Sequence, residues 1–136
     1  MTDEADDAFE SPNEVIPSLW LGDYTDARNF NGERLCVLEM DRGHPGSHWV
    51  PILEGPWARR TKLDEAADLI SERLAAGAKL IVHCMAGIER SPLTVAWWLV
   101  KTGRKPNLDA AYYFLKARRS CVLDRQCWIE PELPSQ

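Results

Sequence analysis

The chain has no apolar run approaching the ~18 residues of a membrane span, and no lysine or arginine in its first fourteen positions. The first absence excludes a transmembrane helix. The second is the wrong sign for a secretory or mitochondrial leader, so a cytoplasmic location is expected. Cysteine is sparse: Cys36, Cys84, Cys121 and Cys127 fall at irregular spacings with no C-x-x-C pair. That argues against a disulfide framework or a zinc knuckle and suits a reducing compartment. Histidine is sparser still. His44 and His48 have no third or fourth ligand at useful spacing, so no metal and no other cofactor is expected.

What is present suffices for one domain. The 136 residues are 45% apolar and include six tryptophans, enough to bury a core without staples. The net charge of -5 is unevenly spread. Asp3, Glu4, Asp6, Asp7, Glu10 and Glu14 are six of the 21 acids, and without them 15 acids face 16 bases. Residues 1–13 therefore read as an acidic, solvated tail, with docking to a partner as the other reading. Residues 14–136 read as the domain.

Hydropathy patterning alternates strands with helices. "EVIPSLWLGD" reads as two short strands broken at Pro17, with a turn at Gly22-Asp23; "LCVLEM" (35–40) and "HWVPIL" (48–53) read as two more. In "TKLDEAADLISERLAAG", Leu63, Ala66, Ala67, Ile70 and Leu74 make one helix face. Thr61 and Asp64 stand as a capping box and Gly77 as its stop. "KLIVHC" is too short and too continuously apolar for an amphipathic helix, so it reads as a central strand buried on both faces. Two further helices follow: one with Leu93, Ala96, Trp97 and Val100 on one face, the other capped by Asn107 with Leu108, Ala111, Tyr112 and Leu115. The fold class is α/β: a single domain with a mostly parallel central sheet of about four to five strands flanked by helices.

Between the buried strand and the next helix lies "CMAGIERS". Such a loop aims backbone N–H groups and a helix N-terminus at one spot, which favours an anion. A thiolate at Cys84 would be stabilised there by the helix dipole and by Arg90. Arg90 offers a fork matched to two phosphoryl oxygens, and Gly87 suits a tight turn. Spacing alone is weak: Cys36 is also followed six positions later by an arginine, Arg42. That second pair has no intervening glycine and no following hydroxyl, and it reads as a strand running into a turn. Cys84 and Arg90 are the functional pair by context.

"VHCMAGIERSP" resembles the H-C-x5-R-[ST] signature of the cysteine-based protein tyrosine phosphatases, and "IPSLWLGDYTDARN" resembles the opening of the small dual-specificity phosphatases. The likeness runs from about Val15 to Arg119. It implies a phosphoric monoester hydrolase in which Cys84 attacks phosphorus to give a phosphocysteine. Arg90, with Met85, Ala86, Gly87, Ile88 and Glu89, would hold the phosphoryl oxygens, Ser91 would ease departure of the thiolate, and His83 would support the thiol. Relatives place an aspartic general acid about thirty residues before the cysteine. Glu54 stands there, in "PILEGPW", and is the expected substitute. Asp64 is the rival, although a capping role explains it, and the third possibility is no protein-supplied acid.

Glu89 is unlike the lysines of lipid-directed relatives, which disfavours an inositol lipid. It either braces the loop or a neighbouring arginine from outside, or repels acidic substrate flanks. Trp57, with Arg59, Arg60 and Lys62, lies between Glu54 and the helix, either on the rim or simply covering the core. Lys116, Arg118 and Arg119 close a helix, where cations suit the dipole. Cys121 or Cys127 could guard Cys84 through a disulfide, as in some relatives, or remain an inert thiol. The expected partner is a phosphorylated protein or peptide, met by a monomer without nucleic acid or membrane. The rival functions are a phosphoprotein-binding module that does not turn its ligand over, and hydrolysis of a non-protein phosphoester such as an RNA 5′ phosphate.

Overall fold

The apolar run Leu80–His83 is buried throughout and lies in the middle of a five-stranded sheet. The computed structural model describes residues 12–132. The strands are β1 (Asn13–Ile16), β2 (Leu19–Gly22), β3 (Glu33–Cys36), β4 (His48–Trp49) and β5 (Leu80–His83); the helices are α1 (Tyr24–Arg28), α2 (Arg60–Ala75), α3 (Arg90–Lys101) and α4 (Leu108–Arg118). A single 3₁₀ turn, Gln126–Trp128, follows. The acidic leader falls outside the described residues up to position 11, and Asn13 already opens β1.

The sheet order is β1-β2-β5-β3-β4. Only β1 runs antiparallel to its neighbour; β2, β5, β3 and β4 are mutually parallel. Gly22 and Cys36 both stand opposite His83 in the register, so three strands end side by side and Cys84 emerges beyond that common edge. This carboxyl edge is where open α/β sheets bind ligands.

Helices α2 and α3 pack on each other over a core that includes Leu63, Ala66, Ile70, Leu93, Ala96 and Trp98. Helix α3 is buried further round than a single stripe, from Ser91 to Ala96 and again at Trp98 and Leu99. Both of its indoles are satisfied, Trp98 Nε1 by Ser71 Oγ at 2.9 Å and Trp97 Nε1 by Asp64 Oδ1 at 2.8 Å. The expected Thr61–Asp64 capping box does not form: α2 starts at Arg60 with no side-chain cap from Arg59. Asp64 is drawn to Trp97 and to Lys101, whose Nζ lies 3.3 Å away. The Arg60 N–H finds Glu130 Oε2 instead, at 2.8 Å. Asn107 caps α4 as expected, accepting from Ala110 N at 2.9 Å.

Two strands are shorter than the apolar runs suggest. β3 lies at 33–36 rather than 35–40: Val37 N still donates to His83 O at 3.1 Å, and the chain then passes into an exposed loop at 39–42. β4 keeps only His48–Trp49: Val50 N still donates to Cys36 O at 3.1 Å, but the next bond, from Ile52 N, goes to Val37 O rather than two residues on, so the regular ladder ends. The turn at Gly22-Asp23 leads into the five-residue α1, where Asp23 and Asp26 form a reciprocal capping box.

Glu33, at the start of β3, joins β4 and α2: it accepts from Arg73 Nε and Nη2 at 2.8 and 2.9 Å and from His48 Nε2 at 2.9 Å. Those bonds, from Arg73 first and then His48, hold its carboxyl down at about 2, against an ordinary value of 4.5. A depressed acid stabilises the fold above its unfolded value, and that contribution fades as pH falls through the folded one. Arg73→Met is expected to lower stability modestly at pH 7, since the pair is partly exposed and screened by water. The gap to the parent chain should close between about 4.5 and 2 in urea titrations. A pH-independent gap would assign the loss to packing instead.

Candidate active site

Residues 84–89 link the end of β5 to the start of α3. Cys84 is 3% exposed, and its Sγ lies 3.3 Å from Oγ of the fully buried Ser91 in the first turn of α3. Gly87 takes φ +72°. A Cβ there would overlap the Gly22 carbonyl, so glycine is required for both conformation and close approach.

Every carbonyl from Met85 to Glu89 has a donor outside the loop. Met85 O accepts from Tyr24 N at 3.0 Å, Ile88 O from Leu123 N at 2.8 Å and Glu89 O from Leu93 N at 3.1 Å. Ala86 O and Gly87 O both accept from Arg119, at 3.3 Å from Nη2 and 2.8 Å from Nε. In a planar trans peptide the N–H points opposite to the C=O. The N–H groups of residues 86–90 therefore turn toward the inside of the loop, and Arg90 follows as the first residue of α3. Converging N–H groups at a helix N-terminus, with a guanidinium beside them, are the surroundings an anion requires.

Arg119 departs from the sequence expectation of a solvated cation at the helix end. It is 1% exposed, and its third nitrogen, Nη1, donates to Asn13 Oδ1 at 2.8 Å. Hydropathy carries no signal for this role, because the carbonyls it holds are 32 and 33 positions away in the chain. Glu89 turns outward to Arg125, accepting from Nε at 2.9 Å and standing 2.8 Å from Nη2. It is thus the loop's outer brace rather than a charge within it.

His83 is fully buried, with Nδ1 at 3.2 Å from the Cys84 carbonyl. A carbonyl only accepts, so Nδ1 carries the proton. Burial lowers the imidazole below its ordinary value, leaving it neutral and stacked 5.8 Å from His44. His44 itself reaches the Tyr24 carbonyl and His48 reaches Glu33.

Arg90 and Glu54 line one cleft of about 280 Å³ with Met85 and residues 38–41. Two residues that are 36 positions apart in the chain are thereby brought together. Asp64 does not reach this cleft, being held by Trp97 and Lys101. Glu39 and Asp41, which sequence reasoning passed over, lie at its mouth, and Asp41 Oδ1 accepts from Gly43 N at 2.7 Å. Trp57 is 65% exposed and stands outside the lining, while Arg59 and Lys62 border a separate depression with Pro51 and Leu53. The second Cys–Arg pair makes no cradle: Cys36 lies in β3 and Arg42 covers the Trp49 ring at 4.9 Å. All four cysteines are free thiols.

A mostly parallel sheet that delivers a buried cysteine into such a loop defines a class, the cysteine-based phosphatases. The match to the dual specificity phosphatase catalytic domain covers residues 47–130, and the chain belongs to that family. Human dual specificity protein phosphatase 5 is 32% identical over an alignment of 123 positions that covers 82% of this chain and 32% of that protein. Human dual specificity protein phosphatase 1 is 32% identical over an alignment of 124 positions, covering 82% of this chain and 33% of that protein. The chain spans about a third of the length of these relatives. The fold is shared with the human tyrosine phosphatase-like serine/threonine/tyrosine-interacting protein, at TM-score 0.73 and 19% identity over 88% of this chain and 91% of that one. It is shared too with a mouse putative dual specificity phosphatase complexed with zinc tungstate, at TM-score 0.72 and 22% identity over 86% and 80%. Among the described residues no helix is long and apolar enough to cross a membrane.

Gly87→Ala is expected to abolish binding of inorganic phosphate, used as a probe of this anion cradle in calorimetry, because the added methyl displaces the loop. Arg119→Met should weaken phosphate binding by about tenfold, the scale of one charge-assisted hydrogen bond. Unchanged affinity in Arg119→Met would show that the remaining donors hold the carbonyls unaided.

Proposed function

We propose that the protein is a phosphoprotein phosphatase that hydrolyses phosphotyrosine, with phosphoserine and phosphothreonine also admitted, through a phosphocysteine and without a metal. The observation that carries this reading is the placement of Cys84 Sγ at 3.3 Å from Ser91 Oγ, under a loop whose carbonyls all face outward. The tungstate bound by the mouse relative is a tetrahedral oxyanion, and a phosphoryl group would occupy the same kind of cradle here.

In the first step the Cys84 thiolate attacks phosphorus, the bond from phosphorus to the leaving oxygen breaks, and that oxygen takes a proton from the Glu54 carboxyl. Arg90 and the inward N–H groups carry the charge on the three equatorial oxygens. In the second step water attacks the phosphocysteine and gives its proton to the Glu54 carboxylate. The S–P bond breaks, and the Ser91 hydroxyl donates to the departing thiolate. Glu54 is supported as the acid by its place in the cleft with Arg90. Its extra methylene, compared with aspartate, adds a rotor to be ordered.

The open cleft suits a phosphorylated side chain on a protein or peptide met by a monomeric enzyme. A reducing, cytoplasmic setting suits a nucleophile that works as a thiolate and four cysteines that are all free. The catalytic unit is taken to begin at Asn13, one residue before the expected boundary, because Asn13 opens β1 and accepts from Arg119, with the acidic residues before it as a tail.

Turnover of 4-nitrophenyl phosphate should survive EDTA and vanish in Cys84→Ser. Phosphopeptide capture with no turnover would instead make the domain a binding module, and turnover confined to an RNA 5′ phosphate would move the substrate class. Glu54→Gln should slow an alkyl phosphate by about 100-fold, the usual scale of general-acid assistance. Its effect on 4-nitrophenyl phosphate, whose leaving group needs no proton, should be several-fold or less. Equal effects on both substrates would remove Glu54 from the mechanism.

A further inference from the structure

The segment that follows α4 touches both sides of the reaction centre. Leu123 N holds the Ile88 carbonyl at 2.8 Å, and the Arg125 guanidinium holds the Glu89 carboxylate at 2.9 and 2.8 Å. The same guanidinium lies 5.2 Å from the centre of the Trp128 ring. Trp128 fills the space that a side chain at position 55 would need, so the indole rests on Gly55, the residue next to Glu54. Two backbone bonds of 2.9 Å fasten the far end, from Ala58 N to Trp128 O and from Glu130 N to Ala58 O.

We propose that Arg125 and Trp128 are positioning residues that set the Glu54 loop at a working distance from the phosphate loop, through the chain of contacts Glu89–Arg125–Trp128–Gly55. This rests on the reading of Glu54 as the general acid. Glu54 is exposed, and among the described residues the bond made within its loop is from Trp57 N to Glu54 O at 3.2 Å. A carboxyl on a long side chain transfers a proton well only when its backbone is held, because small misplacements cost rate steeply. Arg125 is suited to hold it. Its fork is engaged by Glu89 in a half-buried, charge-assisted contact, its N–H is fixed on Tyr112 Oη at 3.2 Å, and its planar face covers the indole. Glu89, which no phosphate-binding role explains, becomes the anchor of this chain of contacts.

The test uses the whole chain and two substrates, an alkyl phosphate and 4-nitrophenyl phosphate. Arg125→Met is expected to lower kcat for the alkyl phosphate about tenfold, as a partial misplacement would, while 4-nitrophenyl phosphate falls about twofold or less. Tungstate affinity should be unchanged. Arg125→Lys, which keeps the charge without the fork, should recover part of the loss. Trp128→Phe, which keeps an aromatic ring on Gly55, should be milder than Trp128→Leu. In the Glu54→Gln background, Arg125→Met should add nothing, since both changes remove the same proton transfer. An equal fall on both substrates, weakened tungstate binding, or an additive loss in that background would overturn the proposal and leave Arg125 as a support of the phosphate loop or the fold. If Glu54→Gln alone shows no preference between the substrates, it is the general-acid reading that fails, whatever Arg125 does.

Discussion

The outward turn of five successive carbonyls, from Met85 to Glu89, is the constraint on which the rest of the site depends. A loop of six residues has many ways to lie between a strand and a helix, and in most of them its peptide dipoles point in mixed directions. Here Tyr24, Arg119, Leu123 and Leu93 each hold carbonyls on the outer side, and the planarity of the peptide converts that into donors on the inner side. The fold serves this arrangement. The parallel register ends β2 beside β5, which puts α1 and its Tyr24 N–H against Met85, and α4 ends where Arg119 can enter behind Gly87.

Two buried charges of opposite kinds illustrate the cost of such a site. Arg119 is desolvated, and that penalty is offset by hydrogen bonds from all three of its nitrogens to oxygen acceptors. Asp26 is nearly buried too, and burial, the largest cause, pushes its carboxyl up to about 6. It lies in the short α1 under Gly22, close to the strand end against which Gly87 packs.

Much of this was legible in the sequence wherever a residue's neighbours along the chain decide its environment. The buried strand Leu80–His83 announced itself by an unbroken apolar run, the loop by its glycine and Arg90, and α4 by Asn107. The failures have the opposite character. Thr61 and Asp64 have the spacing of a capping box, but Asp64 gains more from Trp97 and Lys101, partners 33 and 37 positions distant. Arg119 looked like any cation closing a helix, and its burial follows from the path of β1 and the loop, which no local pattern encodes. Val37 and Leu38 are as apolar as strand residues and are buried. They nevertheless lie past the end of β3, because the chain bends there to form one wall of the cleft.

The lateness of the bracing residues in the chain has a consequence for synthesis. Cys84 leaves the ribosome 35 residues before Arg119 and 39 before Leu123, the two late residues that hold carbonyls of its loop. The sheet and the helix bearing Arg90 have all been made by then, so a nascent domain can assemble its core while the reactive thiol has no shaped cradle around it. The shaping of the cradle is therefore a separate event from assembly of the strand and helix that flank it, and waits on residues 119–123.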